Sequence, residues 1–177
     1  EDPCTGGFPI SKARLRLSGF DTGAGDDQLR LSGRLSVPIT TLIDPRITGL
    51  RLLIEAGGAV LLDVTAPPGL YSRSTRTGWS SRATGNSFVF SSATALGGAV
   101  DRITLARRSS SPEDVIRFVV RGERGSFAVT PLAQPLRVAV VLGATSGTAM
   151  CTELEFAGPW PLPSCRASRS HDKAICR

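Results

Sequence analysis

The residues best suited by type and spacing to do chemistry are the acids of Asp21-Thr22-Gly23-Ala24 and, just after them, Asp26 and Asp27. An Asp held in a rigid turn at a strand end, facing its copy across a dimer, shares one proton with it and activates a water for hydrolysis. Three carboxylates in so short a stretch can also chelate calcium, a hard cation that takes about six to eight oxygens. No bidentate Glu follows at EF-hand spacing, so Asp21, Asp26 and Asp27 are weak calcium candidates. The favoured role is plainer. Aspartates bond their own backbone and glycines take positive φ, which is what a chain reversal needs.

The remaining motifs lead less far. His171, the single histidine, stands beside Asp172 in a polar stretch, and no G-x-S-x-G elbow supplies a nucleophile for it. No phosphate loop of the GxxxxGK type is present. Residues 137–149 read as a strand entering a Gly-rich turn, as in a dinucleotide site, but too little chain follows for a βαβ unit. Tyr71 has Thr75 where a dehydrogenase would place Lys. Trp79 with Tyr71 could stack on a sugar; plugging the edge of a β core is the commoner use of such a tryptophan. The expectation is a non-catalytic chain with no cofactor and no metal.

Charge adds a second line. The chain of 177 residues carries +6, and Lys12 and Lys173 are its only lysines, so the other basic residues are all arginine. A basic balance suits nucleic acid, acidic polysaccharide or anionic lipid. The arginines are spread along every strand candidate with no run of five or six, the pattern of solvated faces. Nucleic acid is therefore not expected, and a basic module for acidic glycans, such as cell-surface polysaccharide, stands as one alternative. No apolar run approaches the roughly 20 residues of a membrane helix.

The elements behind these residues are strands. Ala13–Val37 contains Leu-Arg-Leu-Ser-Gly twice, with Leu15, Leu17, Leu29, Leu31, Leu35 and Val37 two apart and arginine or serine between them. That alternation predicts a hairpin with a leucine face inward and an arginine face outward. A second hairpin, 50–55 and 60–64, turns on Gly57-Gly58. Strand candidates recur at 87–91, 102–106, 115–121, 126–130, 137–142 and 149–156, with turn residues between them and no sustained helical period. The expected architecture is a single all-β domain over 1–177, an antiparallel β-sandwich of immunoglobulin or jelly-roll type with about eight to eleven strands. Residues 1–11 read as an extended lead-in, 70–85 as the least regular stretch, and 157–177 as a Pro-rich tail.

The four cysteines form no CxxC and suit two disulfides in an oxidising compartment. Three pairings are open. The preferred one is Cys165–Cys176, across a terminal hairpin or loop, with Cys4–Cys151, because alternation in 150–156 turns Cys151 away from the apolar face. The start at Glu1 without Met fits a mature product after removal of a signal peptide, so a secreted, extracellular or cell-surface location is expected. Phe8, Ile10, Trp160 and Leu162 are apolar residues on extended segments, suited to adding a strand to a neighbour's sheet edge. The leading functional expectation is accordingly a secreted structural module whose partner is copies of itself, as in a fibre, sheath or surface layer.

Two resemblances bear on this. The chain resembles a group of uncharacterised secreted bacterial all-β proteins in Lys12–Leu17, the Gly25–Asp27 turn, the repeated strand 29–35, Gly78-Trp79, Gly97-Gly98, Cys151–Phe156, and the late pair Cys165 and Cys176. That resemblance implies secretion and an all-β fold, with no activity attached. Asp21-Thr22-Gly23-Ala24 is similar to the active-site turn of retroviral-type aspartic proteases, which implies Asp21 as the catalytic residue of an alternative hydrolase reading. Gly19 and Phe20 stand where that family has two apolar residues. Its downstream apolar-apolar-Gly element is offered only by Val141-Leu142-Gly143, much farther along than usual.

Overall fold

Leucine alternating with arginine or serine does produce a hairpin. β1 (Phe8–Ser18) and β2 (Asp27–Pro38) run antiparallel, with Leu15 opposite Leu31 and Leu17 opposite Leu29. The leucines are buried and the arginines between them exposed, as period-two alternation dictates. The computed structural model describes residues 7–19, 25–38, 43–82, 85–110, 113–127, 135–143, 149–158, 163–170 and 172–177.

Next in the chain, Asp44 caps one helical turn, α1 (Pro45–Thr48), by accepting the Arg46 N–H, with Pro45 at the first helical position. β3 (Leu50–Ala56) and β4 (Ala59–Ala66) form the second hairpin. Its two turn residues, Gly57 and Gly58, both have positive φ (55° and 82°), the backbone a two-residue hairpin turn demands. β5 (Gly78–Ser81), β6 (Ser87–Leu96), β7 (Val100–Ser110) and β8 (Glu113–Gly125) follow as an antiparallel meander. β9 (Leu136–Leu142) pairs with β10 (Met150–Phe156), and β11 (Cys165–Ala167) with β12 (Lys173–Cys176).

Side by side the strands run β4-β3-β9-β10-β1-β2-β8-β7-β6-β5, with β12 beside β1 and β11 beside β12. β1 has two successive neighbours. Phe8 and Pro9 pair in parallel with Thr152 and Glu153 of β10, whereas Leu15 to Ser18 pair antiparallel with β12. The change falls between Ser11 and Arg14, where the β1–β2 register slips and Lys12 takes a φ of 50°. An irregularity of this kind bends a strand and lets it pass from one sheet to another. The all-β expectation holds, and the strands join through β1 into one nearly closed, barrel-like sheet. Near the ends of the series, Gly97 in the β6–β7 turn lies so close to Val64 of β4 that a Cβ there would be 2.5 Å from a valine methyl. The chain leaving β4 also covers β5: Trp79 N–H donates to the Gly69 carbonyl and Tyr71 N–H to the Trp79 carbonyl.

One apolar core fills the curl, drawn from both halves, with Trp79, Phe90, Phe118 and Phe156 among its fully buried side chains. Trp79 is a plug, not a platform: its indole N–H donates to the Pro67 carbonyl at 2.9 Å and its ring tilts against Phe90, so no sugar can stack on it. The extended lead-in assigned to residues 1–11 is already β1 from Phe8 onward, and Ile10 is a core residue. The tail is likewise structured in part, since Cys165, Ala174 and Cys176 belong to the core and the Cys165–Cys176 disulfide joins directly opposed residues. Among the described residues there are twelve strands, above the expected range, because β5, β11 and β12 are too short to show a period.

Candidate functional site

Strand register gathers the scattered arginines. Arg16 of β1 stands opposite Arg30 of β2, Arg30 opposite Arg121 of β8, and Arg121 opposite Arg102 of β7. All four point outward and are exposed. Neighbouring strands are about 4.8 Å apart, so this is one row of four like charges over about 14 Å. A second rung pairs Arg34 with Arg117, and Arg14 and Arg108 lie on the same face. Like charges directly opposed across strands destabilise a sheet, so the row works against folding.

The other outer face treats the same residue type differently. There Arg51 holds Asp63 through two bonds of 2.6 and 2.7 Å, and Arg137 bridges Glu55 and Glu153. The Arg51 guanidinium, through its hydrogen bonds, keeps the Asp63 carboxyl below the usual range. Among the described residues, none of Arg14, Arg16, Arg30, Arg34, Arg102, Arg117 or Arg121 has a carboxylate partner in an ion pair. One face is neutralised and the other is left cationic.

A shallow groove of about 210 Å³ lies within the row, with Arg16, Arg30 and Arg121 around it and Ser18, Gln28 and Glu123 alongside. Three guanidiniums offer forked donors for an acidic group. The hydroxyl, amide and carboxylate add donors and acceptors of the kind that sugar hydroxyls use. Beside Glu123, the Asp101 carboxyl is pushed up, first by burial and then by Glu123 itself, so the cationic row has an acidic border at the β7–β8 end.

The chain matches no protein-family model, no curated protein and no solved structure.

The residues singled out in the sequence are dispersed. Asp27 opens β2 nearly buried, and its carboxylate accepts the Phe127 N–H; Asp26 is exposed; Asp21 lies outside the described residues. Among the described residues no group of three acids, histidines or cysteines could hold a metal. Cys4, Trp160, Leu162 and His171 also lie outside the described residues, and with Cys4 the Cys4–Cys151 pairing. Cys151 packs with Leu53, Ala139 and Val141 in a small outer cluster apart from the core. Phe8 is half exposed, on a strand already paired within the chain, and Ile10 is enclosed. Val141-Leu142-Gly143 ends a buried strand. Asp172 serves the β11–β12 turn: hydroxyls of Ser168 (2.6 Å) and Ser170 bond its carboxylate and hold its pKa down at about 2.

Read locally, the arginine-facing strands are ordinary solvated faces. The signal that local pattern lacks is register. Arg16, Arg30, Arg102 and Arg121 become neighbours only once β8 is known to lie between β2 and β7.

Proposed function

We propose that the protein is a non-catalytic extracellular interaction module that holds acidic polysaccharide on its arginine face. The observation that carries this is the in-register row Arg16–Arg30–Arg121–Arg102 without carboxylate partners, on a molecule whose opposite face pairs its arginines. A sheet keeps so unfavourable an arrangement where an outside polyanion neutralises it. The Cys165–Cys176 disulfide is compatible with an extracellular setting, where the abundant polyanions are acidic glycans. Assembly with copies of itself has less support. Of its described candidates Ile10 is in the core, and only Phe8 offers apolar surface.

Dextran sulfate and dextran share a backbone and differ in charge, so binding to the two is the direct test. Retention on dextran sulfate alone is expected, weakening as salt rises. Arg16→Ser/Arg30→Ser/Arg121→Ser lowers affinity by about tenfold or more. Arg73→Ser/Arg76→Ser/Arg82→Ser, which removes equal charge from exposed positions elsewhere, has little effect. Equal losses in the two triple variants would reduce the effect to net charge and overturn the reading.

A further inference from the structure

The row does not stop at β1. Arg16 is also opposite Ile175 of β12, and Ile175 is opposite Arg166 of β11. A second groove, about 470 Å³, lies on this terminal ribbon between Arg166 and Arg177, with Ile175 on its floor and Ser164 and Ser168 beside it. Ile175 is 41% exposed, one of the few large apolar side chains left open to solvent among the described residues. Six strands, β11, β12, β1, β2, β8 and β7, thus present Arg166, Ile175, Arg16, Arg30, Arg121 and Arg102 in one line.

Resting on the polysaccharide-binding reading, we infer that the acidic chain lies across the strands and that the disulfide-bridged β11–β12 ribbon carries one end of it. Along a strand the arginine spacing is uneven: Arg14 and Arg16 on β1 stand about 7 Å apart, whereas on β2 the outward residues are Gln28, Arg30, Ser32, Arg34 and Ser36, so the charges fall about 13 Å apart. Across the strands they come at every step of about 4.8 Å, close to the length of one sugar ring. A chain with one acid per ring therefore meets one guanidinium per ring from β1 to β7. At β12 the step is apolar, which suits the C–H face of a sugar ring and offers nothing to a phosphate backbone. Single-stranded nucleic acid binds by stacking bases on aromatic side chains, and the six positions include none. The full track covers five strand steps, about 24 Å, and the part without the ribbon covers three, about 14 Å.

Oligogalacturonates, with one carboxylate on each ring, are the probe. Calorimetric titration of a size series into the intact, oxidised protein is expected to show affinity climbing with length and levelling at about six rings. In Arg166→Ser/Arg177→Ser the climb ends at about four rings, while shorter oligomers bind as they do to the unaltered protein. Ile175→Asp gives the same early plateau through an apolar position. All three side chains are exposed, so unchanged thermal melting is the control for folding. If the ribbon variants leave the length profile untouched, or weaken all lengths alike, the path across the ribbon is wrong and the arginine-face reading stands. If affinity does not depend on length, the crossing direction is wrong. If neither oligogalacturonate nor dextran sulfate binds, both readings fall. A single-stranded DNA of equal charge that binds more tightly than either would overturn the ligand class.

Discussion

Gly33 is where the core leaves no room for a methyl group. It faces inward on β2, directly opposite Phe118 of β8, beside the irregular stretch of β1. A Cβ added there would lie 2.7 Å from Ile10 Cγ2, 2.7 Å from Phe118 Cε1 and 2.8 Å from Phe118 Cζ. Its backbone is not in the left-handed region, so Gly33→Ala meets crowding alone. Overpacking of a well-filled core costs about 1–3 kcal/mol. The stiffer unfolded chain of alanine offsets about 0.4–1 kcal/mol of that. The net loss expected is about 1–2 kcal/mol, or about 2–8 °C in Tm for a domain of this size. Urea denaturation measures it as a lower midpoint with an unchanged slope. Phe118→Leu removes the crowded ring atoms, so Gly33→Ala/Phe118→Leu should cost less than the sum of the single variants by about 0.5 kcal/mol or more. A Gly33→Ala protein as stable as the parent, or additivity with Phe118→Leu, would refute the packing argument.

A Cβ on Gly122 would fall 1.5 Å from the Ala99 carbonyl oxygen, which is backbone and cannot swing aside, so Gly122→Ala should cost more than Gly33→Ala, about 3 kcal/mol or above in the same urea assay; an equal or smaller cost would count against the close strand approach. Trp79→Phe loses the bond to the Pro67 carbonyl along with packing volume, an expected loss of about 2–3 kcal/mol, with faster hydrogen exchange at the Tyr71 amide; a change within about 0.5 kcal/mol would show that the plug is not needed. The Asp172 carboxyl should titrate by NMR near pH 2, below its ordinary 3.8, and return towards 3.8 in Ser168→Ala/Ser170→Ala. Its folded pKa is depressed, so what it adds to the β11–β12 turn is present above pH 3.8 and lost as pH falls towards 2. A midpoint at or above 3.8 in the parent protein would contradict the hydroxyl contacts.

Local pattern carried most of the strands. The Leu15–Leu17 and Leu29–Val37 alternation and the Gly57-Gly58 turn are written into neighbouring residues, and the structure has them where the pattern puts them. β1 extends further back than its alternation does, because the irregularity at Lys12 shifts the inward positions from Ile10 to Ala13 and breaks the period of two. β5 is four residues with one buried side chain of any size, Trp79, and four residues cannot display a period. The curl through β1 depends on a strand pairing with both β10 and β12, a choice made by tertiary packing rather than by propensity. The arginine row was hidden for the same reason. Arg30 and Arg121 are adjacent in space only through the β2–β8 pairing, and nothing in the residues around either one reports the other.

The shared strand also sets the order in which the molecule can be put together and taken apart. Leu15 and Leu17 of the first strand find partners in Cys176 and Ala174 of the last, so the seam beside β1 stays open until the remotest segments in sequence have met. Such long-range closure is slow, in the range of milliseconds to seconds for β-rich domains, and the pairing of β2 with β8 must wait on much of the chain as well. The strand that closes the seam, β12, is itself tied to β11 by the buried Cys165–Cys176 bridge. Disassembly has an easier start on the far side, where β4 and β5 end the strand series without pairing among the described residues and the gap is spanned by the chain after β4, the β6–β7 turn and Arg46 of α1, which donates to Ser81 Oγ. The barrel fastens on one side and comes loose on the other.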